Sequence, residues 1–165
     1  MEGRNWLGKF LTFRQKMNKI TVETYRKDKL YAKVVRATAV LLKDSDEISP
    51  VAILIQIGNL APQSLDAWRH GRIPYLEKVF QGSLSKANRY LQIIGFHAHD
   101  LNMIHFHHTY CQIGKKNKLR FTRSGSLDVE NSYARHFRWN QSQEKKQELI
   151  KRILAEQNSA TSFST

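Results

Sequence analysis

Five histidines fall within the twelve residues "HAHDLNMIHFHH": His97, His99, His105, His107 and His108. A neutral imidazole offers a nitrogen lone pair to a divalent metal. An H-x-H pair on a strand would put both rings on one face, so His97, His99 and Asp100 are the candidate metal ligands. The alternation of histidine with apolar residues fits a half-exposed strand equally well, with water on one side. Clustered histidines beside basic groups can also bind phosphate. The second reading is preferred, and no metal or cofactor is expected.

Hydrolase patterns are present only in fragments. His97-Ala-His99-Asp100 lacks the further Asp-His of a metallo-β-lactamase site. His70, His99-Asp100 and Asp128 follow the chain order of the HD-phosphohydrolase ligands at compressed spacing. His107-His108-Thr109 resembles one half of a two-histidine phosphoesterase signature, without its second half. Together they leave a small metal-dependent phosphoesterase as the third functional reading, using His97, His99 and Asp100. No GxxxxGK[ST] or GxGxxG cradle occurs, and the single cysteine, Cys111, excludes both C-x-x-C chemistry and an intrachain disulfide.

Cationic side chains interleaved with aromatics carry a different chemistry. In "KKNKLRFTR", Lys115, Lys116, Lys118, Arg120 and Arg123 are suited to grip phosphates while Phe121 or Trp139 stacks on a base. For Phe137 and Trp139 in "YARHFRW" a core position is preferred. The formal charge of the chain is +13, from 27 Lys and Arg against 14 Asp and Glu. Residues 1–43 hold eleven basic and three acidic groups, residues 44–96 five of each, and residues 97–138 seven against three. Two basic regions flanking a neutral middle draw polyanions, because neutralised phosphates release condensed counterions.

"LAPQSLDAWRHGRIP" lies within that neutral middle. Helices over 50–57 and 62–70, joined by a short turn containing Gly58, have the lengths of a helix-turn-helix. The stretch 50–74 resembles phage-repressor-type DNA-binding domains. That resemblance implies a recognition helix with Leu65 and Trp68 turned to the core. Gln63, Ser64, Ala67 and Arg69 would be left outward, with His70 and Arg72 near the helix end. Gln pairs bidentately with adenine, and Arg with guanine or phosphate. A helical corner that serves packing alone is the competing reading. "AWRHGRIPYLEKV", "IIGFHAHDLNM" and "LRFTRSGSLDVENSYARHF" are similar to motifs of a group of uncharacterised bacterial proteins over about residues 50–138. That similarity implies an independent family but brings no activity or site residues.

These residues must be positioned by short elements. Trp6, Phe10, Phe13, Met17 and Ile20 form one apolar stripe, and Leu30, Val34, Ala37 and Leu41 another. They predict helices near 4–20 and 22–43. The first has a basic amphipathic character also suited to lying on an anionic membrane. From Ser49 onward three Pro-to-Gly units and one Ser-to-Gly unit, closing at Gly58, Gly71, Gly82 and Gly95, predict four short helices. Proline suits the first helical turn and glycine the C′ position. "MIHFHHTYCQIG" and "LRFT" predict a β-hairpin with strands near 104–113 and 118–123 and a cationic tip. A helix over 127–138, a last amphipathic helix and a disordered tail at 159–165 complete the chain.

The expected fold is thus mainly α, a single domain of several short helices with one small β-hairpin. Basic N-terminal helices over 1–43 precede a core over 44–158. The expected function is nucleic-acid binding, DNA before RNA, with phosphates held by the N-terminal helices and the 115–123 hairpin. Base reading would come from Gln63, Ser64, Arg69 and Arg72. The rival from another class is a protein-interaction module, with a homodimer among its forms. No apolar run approaches the roughly 20 residues of a membrane span. Lys9, Arg14, Lys16 and Lys19 break up the N-terminal segment, so no signal peptide and a cytoplasmic location are expected.

Overall fold

A computed structural model describes residues 19–162, with side-chain surroundings given for residues 19–156. The helix expected over 4–20 falls almost wholly outside that range. Among the described residues, six α-helices dominate a small three-stranded antiparallel sheet. A 3-10 turn at Tyr25–Lys27 leads into α1 (Tyr31–Leu42), β1 (Glu47–Ile48), α2 (Pro50–Ile57) and α3 (Pro62–Arg69). A second 3-10 turn at Leu76–Val79 precedes α4 (Leu84–Asp100), β2 (Ile104–His107), α5 (Leu127–Ala134), β3 (Arg135–Arg138) and α6 (Gln143–Ser162). The fold is mainly α with a minor β part.

The apolar stripe of α1 is the organising surface. Leu30, Val34, Ala37 and Leu42 are buried, and the helix packs against α2, α4, α6 and β1. In α2 nearly every residue is apolar, and Val51, Ile53 and Leu54 are buried, as an all-round hydrophobic helix requires. Its ends follow from sequence chemistry. The Ser49 hydroxyl accepts the Ala52 amide at 3.1 Å, Pro50 occupies the first turn, and Gly58 closes the helix at φ 100°.

The punctuation elsewhere resolves differently. "PYLEKVFQ" forms only the 3-10 turn, because Leu76 and Glu77 donate their amides out of the segment, to the carbonyls of Arg120 and Phe121. Ser83 caps α4 as expected, but the helix runs through Gly95 to Asp100. It ends on Asn102, which adopts φ 57° and takes the part usually played by glycine.

The expected hairpin is also redrawn. β2 pairs with β3, from Ile104 opposite Arg138 to His107 opposite Arg135. β3 pairs on its other edge with β1. The helix expected over 127–138 therefore stops at Ala134, since Arg135–Arg138 satisfies its backbone on two strands and buries Phe137. What remains of the hairpin is a narrow loop. It has one bridge, Cys111 to Lys118, and further bonds from Gln112 N to Asn117 O and from Leu119 N to Tyr110 O, each 2.8 Å. No strand forms at 118–123, where the Glu130 carboxylate accepts the Phe121 and Thr122 amides. α6 continues to Ser162, so residues 159–162 are helical where a disordered tail was expected, and the rest of that tail lies outside the described residues. No described helix is long and apolar enough to cross a membrane.

Candidate nucleic-acid interface

The segment expected to form a helix-turn-helix begins with α2 and passes through Gly58-Asn59-Leu60-Ala61 into α3. The turn is anchored: Asn59 donates its side-chain amide to Gln81 O at 2.7 Å and accepts the Gln81 amide at 2.8 Å. On α3, Trp68 is fully buried and Leu65 half-buried, so the pair meant for the core does face it. Gln63, Arg69, His70 and Arg72 are exposed, while Ser64 and Ala67 are partly covered.

Trp68 also fixes what stands next to α3. Its indole N–H donates to Arg120 O at 2.8 Å, and its ring packs on Tyr110 and Phe121 with centroids 5.5 and 5.2 Å away. Phe121 in turn stacks on Tyr133 at 5.0 Å. Phe121 and Trp139 are buried, at 3% and 7% exposure, so neither is available to stack on a base. Their rings are spent on the core instead.

The same aromatic group docks the cationic loop on the end of α3. Ile113 donates its amide to Arg69 O at 2.8 Å, and the Gln112 side chain donates to His70 O at 3.1 Å. Gly71, at φ 76°, leaves room for that side chain; a Cβ there would lie 2.5 Å from Gln112. The sequence-separated candidates Arg69 and Arg72 and the loop carrying Lys115, Lys116 and Lys118 are thereby brought together. All five side chains are exposed and none forms an ion pair among the described residues. Arg120 is partly committed, donating to Arg123 O at 2.7 Å. Arg123 is exposed beyond it.

A second cationic group joins part of the N-terminal region expected to hold phosphates to two α4 cations that the sequence did not single out. Lys29 and Lys33 of the α1 region face Lys86 and Arg89 of α4 across a cleft of about 570 Å³. Lys33 also joins Arg36 and Gln56 around a neighbouring cleft of about 320 Å³, beside the end of α2. Arg89 is paired with the buried carboxylate of Asp28; Lys29, Lys33, Arg36 and Lys86 have no ion-pair partner among the described residues. The available signal was the spacing: Lys29, Lys33 and Arg36 recur at four and three, and Lys86 and Arg89 at three.

The histidines do not assemble a metal site. His97 and His99 lie on α4, not on a strand, so a spacing of two separates them around the helix. His97 is buried and His99 exposed. The Asp100 carboxylate accepts the Tyr25 hydroxyl and, at 2.7 Å, the Arg26 guanidinium. No group of three or more His, Cys, Asp or Glu among the described residues is arranged to hold a metal ion. His105 and His107 do lie on β2, as the alternation suggested, and both are exposed. His108 stacks on His136 at 4.6 Å, and Tyr110 shares a 2.7 Å hydrogen bond with His136 Nε2. Burial first, then the neighbouring His108, holds the His136 pKa down to about 4. That arrangement ties the root of the loop to β3.

No family model, curated protein or solved structure matches the chain.

Proposed function

We propose that the protein binds nucleic acid, duplex DNA before RNA, with α3 and the 112–118 loop forming one contact surface. The observation that carries this reading is the docking of the loop on the last turn of α3 through Ile113 N to Arg69 O. Five exposed cations without carboxylate partners among the described residues repel one another, and a phosphate backbone relieves that repulsion. Lys115, Lys116 and Lys118 act as phosphate contacts, to which Arg120 and Arg123 add. Gln63, Ser64, Arg69 and Arg72 are the base-reading set, with Gln63 and Arg69 the most open of those on the helix itself. The α1–α4 cations supply a further phosphate-binding patch near the turn that starts α3.

The two roles separate by mutation. The charge reversals K115E/K116E/K118E weaken binding to all duplexes alike, on the order of a hundredfold. Gln63→Ala or Arg69→Ala changes the ranking of duplex sequences, by about 1–3 kcal/mol at the affected base pair. Selection from a random-duplex pool followed by competition binding reads both. A uniform loss from Q63A and R69A refutes base reading on α3, and unchanged binding by the triple variant refutes the loop as a phosphate contact.

A further inference from the structure

A cleft of about 450 Å³ opens between the first 3-10 turn, α4 and the α5–β3 junction. It shares no lining residue with the α3–loop surface or the α1–α4 cationic clefts, although α4 contributes to both this cleft and the latter. Its apolar wall comes from Val22, Leu91 and Phe96, and Val22 is 65% exposed. At its floor is Gly95, inside α4, where glycine is less favourable than alanine. A Cβ at Gly95 would meet nothing within 4 Å, so no neighbouring backbone requires the glycine. The missing side chain instead leaves the cleft open.

The polar groups at its rim are unequally committed. Asp100 is satisfied by Tyr25 and Arg26. Ser132 donates its hydroxyl to Asp128 O at 2.9 Å and keeps its oxygen as an acceptor. Arg135, the first residue of β3, has no ion pair or side-chain hydrogen bond among the described residues, and its guanidinium carries a full positive charge with a planar set of donors. The His99 side chain, which lines the same cleft, is likewise without an ion pair or hydrogen bond among those residues. An apolar pocket of this volume with a few convergent polar groups is the usual form of a small-molecule site.

We propose that this cleft binds a small carboxylate with an aromatic or branched apolar body, its carboxylate on Arg135 and its body against Phe96, Leu91 and Val22 over Gly95. A bidentate pair with arginine supplies the anion selectivity, and the open floor supplies the room.

The test is a titration of the ¹⁵N-labelled full chain with 2-naphthoate, and in parallel with its neutral counterpart 2-naphthalenemethanol, followed by amide chemical shifts. The expected result is saturable shifts at Gly95, Phe96, His99 and Arg135, with the alcohol about tenfold weaker. Arg135→Gln removes the difference between the two probes. Gly95→Leu abolishes binding while the remaining amide spectrum stays dispersed; if that variant does not fold, the Arg135→Gln comparison decides. Equal affinity for the two probes, or shifts confined to other residues, overturns the proposal. So does binding that appears only in a W6A/F10A/F13A variant, since the cleft would then belong to the chain's own apolar stripe. Nucleic-acid binding is scored separately, so neither result determines the other.

Discussion

His97 sits with 5% of its surface exposed, its ring edge-on to Tyr31 and its Nε2 without a hydrogen-bond partner among the described residues. Burial first, then the charge of Arg26, pushes its pKa down to about 4. An unfolded chain protonates the same histidine near pH 6.5, so between those values the unfolded state holds the extra proton. Stability therefore falls as the pH drops from about 6.5 towards 4, by roughly 3 kcal/mol from this residue. His136 acts in the same direction with a smaller effect, being only half-buried. His97→Phe retains the ring packing and removes the proton site. Urea unfolding at pH 7 and pH 4.5 should show a smaller loss for H97F than for the parent chain. Equal losses would mean that His97 does not stay neutral in the folded protein. The buried imidazole thus has a measurable thermodynamic part in the fold, although the sequence first suggests it as a ligand.

At the scale of elements, the two glycines that matter most have opposite consequences. Gly71 adopts φ 76° and adjoins Gln112, whose side chain holds the cationic loop on α3. Gly71→Ala strains the backbone by about 1–2 kcal/mol and displaces Gln112. Hydrogen exchange should then accelerate at Ile113, whose amide donates to Arg69, and unchanged protection there would contradict the docking. Gly95 has a negative φ and open space around it, so Gly95→Ala raises stability by about 0.5–1 kcal/mol, read from thermal or urea unfolding. A destabilised G95A would show that the cleft floor is closed.

The same contrast explains what the sequence could reveal. Ser49-Pro50 to Gly58 and Pro62 to Gly71 predict α2 and α3 because caps and first-turn prolines are local chemistry. Gly95 misleads because nothing local distinguishes a C′ glycine from one kept small in the middle of a helix. β3 was hidden because its pairing partners, Glu47–Ile48 and Ile104–His107, lie far away in the chain and only the folded arrangement supplies them. The candidate contact residues were legible from their types. Their convergence was not, since it depends on Trp68 reaching Arg120 O across 52 positions. Lys86 and Arg89 of α4 were missed for the same reason, for they meet the expected N-terminal cations only once the helices pack.

For the molecule as a whole, the excess of 27 basic over 14 acidic residues does not disappear into ion pairs. The described pairs involve Arg26, Arg89, Arg138, Lys146 and His70. Among the described residues, the cations of the α3–loop surface and most of those between α1 and α4 have no ion-pair partner. One cationic group adjoins the end of α2, where the turn to α3 begins, and the other closes on the last turn of α3. On the proposed reading, this placement puts phosphate contacts near both ends of the short helix that carries Gln63 and Arg69. The most direct measurement is the affinity for duplex DNA over a salt series, for the parent chain and for K115E/K116E/K118E. The account predicts that log affinity falls linearly with log salt, with a slope of about −4 or steeper, and that the triple variant loses about 2 to 3 of that slope. An affinity indifferent to salt, or a slope unchanged in the variant, would contradict it.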